Sequence, residues 1–93
     1  MTVGIVGLGL IGGSMAKSIK ARTAHTVFGC DLDQETMMMA RTCGAIDAPL
    51  TAENLKECDL VLVAIRPAAA VKWVKEHAEG IRRDAILVDL YGV

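Results

Sequence analysis

Short apolar runs alternate along the chain with stretches of helical spacing, and that alternation predicts most of its elements. Val3–Val6 is an apolar run that stops at Gly7, and from Ile11 to Lys20 the apolar positions Ile11, Met15 and Ile19 recur with a period near four. A strand therefore gives way to a helix. Thr26–Cys30 predicts a second strand, ended by Asp31. Asp33 is placed to cap a helix over about Gln34–Cys43, and Gly44 supplies the left-handed position that closes it. Met37, Met38 and Met39 cover three directions around that helix and read as gap-filling core residues. Ala45–Ala48 predicts a short third strand, which Pro49, having no amide to give a ladder, should not extend. Thr51 or Ala52 opens a brief helix to about Lys56. Leu60–Ile65 is apolar throughout, the pattern of a strand covered on both faces. Pro67 suits the first turn of the next helix, along which Val71, Val74 and Ala78 repeat at helical spacing until Gly80. Ala85–Leu90 is the fifth strand, an apolar edge of a kind that folded proteins normally cover.

Five strands interleaved with four helical segments predict the α/β class: a Rossmann-type doubly wound parallel sheet, three layers α/β/α, truncated after the fifth strand. In that strand order the first and fourth strands are neighbours, and the crevice at their carboxyl ends is the binding point, faced by Gly7 and Arg66. With 93 residues the chain makes one domain, 1–93, and 53% hydrophobic against 23% charged residues is the balance of a chain that buries a core. Ten Lys plus Arg against eleven Asp plus Glu leave a net charge of -1, which offers nothing to a nucleic-acid backbone or an anionic membrane. The longest apolar runs fall far short of the ~20 residues of a membrane span, and Met1-Thr2 leads straight into the first strand without a secretory signal, so a cytoplasmic location is expected. Cys30, Cys43 and Cys58 lie 13 and 15 residues apart with no histidine at ligand spacing. They read as buried reduced thiols, and no metal site is expected.

Chemistry concentrates in Gly7-Leu8-Gly9-Leu10-Ile11-Gly12, a glycine fingerprint that follows a predicted strand, opens a helix and precedes Asp31 by 19 residues counted from Gly12. Gly7 permits the tight turn, Gly9 lets backbone approach a pyrophosphate, and Gly12 lets helix and strand pack closely. The free amides at the helix start, from Leu10 and Ile11 onward, then face the diphosphate with the helix dipole behind them. The sequence continues Gly13-Ser14 and lacks the lysine of a Walker-type loop, which sets an ATPase aside. Gly13 adds close approach; Ser14 is placed either to donate to a phosphate oxygen or to bond to backbone. Asp31 is positioned to accept from the adenosine ribose hydroxyls and to repel a 2′-phosphate, while Leu32, Asp33 and Gln34 supply no cation for one. NAD is accordingly favoured over NADP. Arg66, at the end of an apolar strand, reads either as a guanidinium reaching a phosphate or carboxylate or as a solvated loop charge. His25 and His77 read as surface residues, and Trp73 and Tyr91 as packing aromatics. No residue is assigned a catalytic role.

The string Gly-Leu-Gly-Leu-Ile-Gly-Gly-Ser at Gly7–Ser14 resembles the start of the nucleotide-binding domain in the prephenate and arogenate dehydrogenase family. The resemblance extends to Asp31, to Cys58-Asp59 before the fourth strand, and to Asp89-Leu90-Tyr91-Gly92-Val93, similar to the family's Asp-x-x-Ser-Val stretch with Gly92 where serine is usual. It implies NAD-linked oxidative decarboxylation of prephenate to 4-hydroxyphenylpyruvate, a step of tyrosine biosynthesis, in a homodimer built by a helical C-terminal domain. It further implies that a histidine in a His-Pro-Met context takes the ring hydroxyl proton. His25 and His77 lack that context, so the chain is expected to be the cofactor-binding half and inactive alone. Two other readings remain at this stage: the nucleotide domain of another hydroxy-acid dehydrogenase or imine reductase, and a stand-alone dinucleotide-sensing module that moves no hydride.

Overall fold

A computed structural model describes residues 1–90 of the chain. Tyr91, Gly92 and Val93, the end of the family-like segment, lie outside the described residues. Five strands, β1 (Thr2–Val6), β2 (Thr26–Cys30), β3 (Ala48–Pro49), β4 (Leu60–Val63) and β5 (Ile86–Asp89), pair in parallel in the order β3-β2-β1-β4-β5. Between them run the helices α1 (Leu10–Arg22), α2 (Gln34–Thr42), α3 (Ala52–Leu55) and α4 (Pro67–His77), the last followed by a 3-10 turn over Ala78–Gly80. The expected Rossmann-type doubly wound order is therefore present. Its reversal falls between β1 and β4, where Val3–Val6 lies in register with Leu60–Val63.

Period-two alternation divides the sheet's side chains between two cores. Val3 and Ile5 of β1, Val27 of β2 and Leu62 of β4 pack with Ala16 of α1 and Ala40 of α2 on one face. Val6, Val61 and Val63 pack with Leu55 of α3 and Ala70 of α4 on the other. The middle strands are hidden on both sides, as the unbroken apolar run of Leu60–Ile65 requires.

Helix ends follow their local chemistry. Asp33 caps α2, its Oδ1 accepting from the Glu35 amide. Gly44, at φ +73, closes that helix while the Ala45 and Gly44 amides donate to the carbonyls of Ala40 and Arg41, a Schellman pair. Thr51 and Asn54 form a reciprocal capping box on α3, so a helix of four residues has a defined start.

The expectations for the third strand, the methionines and the cysteines fail. The third strand is Ala48–Pro49, because Ala45 and Ile46 are drawn into the core and the proline sits on an edge strand, where its missing amide breaks no ladder. Met38 and Met39 are 70% and 71% exposed, and only Met37 packs inward. Helix α1 buries Gly12 and Ala16, with Ile19 partly covered, while Ile11 and Met15 stay exposed. The positions that face the sheet are thus the small Gly12 and Ala16, with Ile19 a turn further on. Cys43 is likewise exposed and Cys30 half-buried; Cys58 alone of the three is fully buried.

At the opposite end of the sheet two carboxylates hold strand starts. Asp47 accepts from the Val27 amide at 2.7 Å and from Lys20 Nζ at 2.8 Å; Asp59 accepts from the Thr2 amide at 2.8 Å and from the Arg82 guanidinium. The Lys20 bond first, then the Val27 amide, holds the Asp47 carboxyl below the usual carboxylate range; Arg82, then the Thr2 amide, does the same for Asp59. Because both are lowered in the folded state, their contribution is present above the ordinary aspartate pKa of about 3.9 and is lost as pH falls through the lower folded values. The melting temperature should fall below about pH 4, and more shallowly in an Asp47→Asn, Asp59→Asn double variant. An identical acid slope in that variant would refute the assignment.

No helix among the described residues is long and apolar enough to cross a membrane.

Candidate dinucleotide site

The turn leaving β1 is built from glycines with different duties. Gly7 has φ +93, and a Cβ there would stand 2.6 Å from the Ala64 carbonyl oxygen, so the position excludes side chains twice over. Its amide donates to the Cys30 carbonyl at 2.8 Å, tying the turn to the end of β2. Leu8 turns inward and is buried against Gly29, leaving the next residues outside. A Cβ on Gly12 would lie 1.8 Å from the Gly7 carbonyl oxygen, and one on Gly13 would lie 3.0 Å from that of Leu8. Gly12 is thus what lets α1 start directly over the turn. Gly9 differs from all of these: nothing lies within 4 Å of where its Cβ would be.

Gly9 is also the N-cap of α1, where it makes no side-chain capping bond, and no acidic residue occupies the helix's first turn. The first amides of a helix have no partner within it, so those of Leu10, Ile11 and Gly12 are left to an outside acceptor. The Leu10 side chain, 92% exposed, stands clear of them. An open space beside free amides at the positive end of a thirteen-residue helix is shaped and polarised for a diphosphate. Ser14 is exposed on the next turn and its hydroxyl makes no hydrogen bond among the described residues, so the backbone-bonded alternative is not formed.

Asp31 closes the other side. Its Oδ2 accepts from the Leu8 amide and its Oδ1 from the Asp33 amide, both at 2.8 Å. The carboxylate therefore braces the glycine turn, and each oxygen keeps a further lone pair for a hydroxyl donor. Beside it, Cys30 is a poor nucleophile: burial above all, with the negative charge of Asp31 adding to it, pushes its thiol up to about 11. Arg66 caps α4 beyond the end of β4, its carbonyl accepting from the Ala70 amide; its side chain is exposed, makes no bond among the described residues and does not line the cavity described next.

A cavity of about 590 Å³ opens from Gly7 and Asp31 along the face of the sheet that carries α3 and α4. Leu32, Thr51 and Ile65 line it, with Ala52 and Leu55 of α3, and α4 supplies a further wall. That helix presents Ala69, Lys72, Trp73, Glu76 and His77 to it, positions i, i+3, i+4, i+7 and i+8 of one face. Trp73 packs against the core, as expected, whereas His77, expected at the surface, is half-buried. The two rings stack, with centroids 4.4 Å apart and planes 17° from parallel, as part of the cavity wall. Lys72 likewise escaped notice as a cation on the same cavity as Asp31. The helical spacing from Ala69 was the available signal, hidden because its residues mix charge with aromatic character and so match no apolar stripe.

Residues 15–93 match the family described as prephenate dehydrogenase, nucleotide-binding domain. The match begins beyond the glycine turn, whose assignment rests on its geometry. A prephenate dehydrogenase of Bacillus subtilis (strain 168) is 31% identical over 93 residues, taking in 96% of this chain and 25% of the relative. Among solved structures, an arogenate dehydrogenase of Synechocystis superposes with a TM-score of 0.90 over all of this chain and 34% of its own, at 24% identity, a likeness of fold. A prephenate dehydrogenase from A. aeolicus, solved in complex with hydroxyphenyl propionate and NAD+, gives a TM-score of 0.84 at 26% identity over 96% of this chain and 32% of its own. The chain thus spans about a quarter to a third of the length of the relatives it matches.

Proposed function

The chain belongs to the family of prephenate dehydrogenase nucleotide-binding domains, and on that premise we propose that it holds NAD as the cofactor half of a dehydrogenase acting on prephenate or arogenate. The observation that carries this reading is the pairing of Gly9's open space and the free amides of α1 with Asp31, which is hydrogen-bonded to the same turn. In this arrangement Gly7, Gly12 and Gly13 shape the turn, and the backbone of Gly9, Leu10 and Ile11 receives the diphosphate. Ser14 donates its free hydroxyl to that group, and Asp31 accepts from the adenosine ribose. Arg66, unpaired and exposed at the carboxyl end of β4, supplies positive charge on the far side of the crevice. Bound NAD supplies the hydride acceptor; residues 1–90 bind and orient it. The A. aeolicus relative, solved with NAD+, supports the cofactor assignment.

Oxidative decarboxylation, a site for the substrate and a homodimer are proposed for the full enzyme, in a cytoplasmic setting. Residues contributed by the rest of such an enzyme would take the substrate's proton. The exposed Ile86, Leu87 and Val88 of β5, an apolar flank on the sheet edge, support a longer protein that covers them.

Calorimetric titration of the chain with NAD and NADP tests the cofactor assignment. Asp31→Ala should weaken NAD about tenfold while NADP changes little, because the carboxylate that repels a 2′-phosphate goes with the one that binds the ribose. An equal loss for both cofactors would reduce Asp31 to a brace for the turn. Failure of the unaltered chain to bind either would overturn the proposal.

A further inference from the structure

Trp73 and His77 occupy neighbouring turns of α4 and both line the cavity that leads away from Asp31. His77 Nδ1 lies 2.8 Å from the Trp73 carbonyl oxygen. A carbonyl can only accept, so Nδ1 is the donor, and in that tautomer the lone pair lies on Nε2. Stacking on the indole holds the ring plane, and the backbone bond holds its rotation. No buried side-chain nitrogen or oxygen among the described residues lacks a partner, so Nε2 is not sealed inside the protein but remains open to an incoming donor.

Two other polar groups on this wall, Lys72 and Glu76, are exposed and make no bond among the described residues. They would have to be ordered on binding, whereas His77 is already fixed, and a pre-organised group gives more discrimination for the same hydrogen bond. Helical side chains lean toward the N-terminus, which carries the His77 ring back to the level of Trp73, toward the Asp31 end of the cavity. Asp31 lines the same cavity as this wall, so a base linked to a ribose at Asp31 enters the space that the wall bounds.

We propose that His77, held against Trp73, reads the edge of the nucleotide's base by accepting from the exocyclic amine of adenine. This selects an adenine dinucleotide over one whose base carries a carbonyl at that position. The inference rests on the NAD reading above and adds to it the residue that determines base specificity. A hypoxanthine dinucleotide sets an acceptor against an acceptor, the mismatch that a site built around one hydrogen bond rejects.

The test measures binding of NAD and of nicotinamide hypoxanthine dinucleotide to the 93-residue chain, by calorimetry and by the fluorescence of Trp73, its one tryptophan. The unaltered chain should prefer NAD by about tenfold, the worth of one hydrogen bond with its mismatch. His77→Phe keeps a ring on the indole but no acceptor, and should bind the two alike. His77→Gln restores an acceptor and should recover the preference for NAD. Thermal melts report whether each variant is folded, and the ratio of the two affinities is read only within one folded protein, so a general weakening does not imitate the result. An unchanged preference in His77→Phe, or equal binding of both dinucleotides by the unaltered chain, would overturn the role of His77 and leave NAD binding standing. No binding of either dinucleotide to the unaltered chain would overturn both.

Discussion

Gly12→Ala should lower the stability of the chain by about 3 kcal/mol or more, the scale of severe overpacking. For a domain of this size that is a fall in melting temperature of roughly 12–24 °C. The added methyl would stand 1.8 Å from the Gly7 carbonyl oxygen, and the obstacle is backbone. Relief requires lifting the start of α1 off the turn or displacing Gly7. Gly7 is itself confined, with φ +93 and the Ala64 carbonyl on its other side. The variant should also lose NAD binding, since the amides of Leu10 and Ile11 move with the helix start. A melting temperature within a few degrees of the unaltered chain would show that the turn yields, and would refute this account of Gly12.

Gly9→Ala should give the opposite pattern: a nearly unchanged fold and at least about a tenfold loss of NAD affinity, near 1.4 kcal/mol. Nothing in the protein lies within 4 Å of the new methyl, and the residue's φ of -71 is open to any amino acid. The cost to folding is confined to a poorer helix cap, under about 1 kcal/mol. The methyl does occupy the space through which a diphosphate would reach the first amides of α1. Two alanines three residues apart therefore separate the glycine the fold needs from the glycine the ligand needs. Unaltered NAD binding by a folded Gly9→Ala chain would mean that the diphosphate lies elsewhere.

Much of this was legible in the sequence because period and punctuation agree. The run from Leu60 supports a strand hidden on both faces, Asp33 and Gly44 bracket α2, and the glycine string falls where a strand becomes a helix. Less legible were features decided by distance between elements. Helix α1 buries Gly12 and Ala16 and partly covers Ile19, its start lying against the Gly7 carbonyl at Gly12; apolar spacing alone favours the larger Ile11 and Met15. Pro49 is admitted to β3 only because that strand is an edge, a property of the assembled sheet. The cavity wall of Lys72, Trp73 and His77 was hidden for a related reason. A helix face that meets a ligand cavity is neither apolar like a core stripe nor uniformly polar like a solvent face. The spacing to the glycine string suggests Asp31 as a ribose acceptor, but its bond to the Leu8 amide depends on a turn whose shape the residues do not announce.

The central claim is that the opening turn of α1 receives the diphosphate of NAD, and a titration followed through backbone amide resonances of the 15N-labelled chain tests it most directly. Saturable shifts that are largest at Gly9, Leu10, Ile11 and Gly12, and that inorganic pyrophosphate partly reproduces, are the predicted result. Saturation with NAD that leaves those four amides unmoved while shifts gather elsewhere would contradict it.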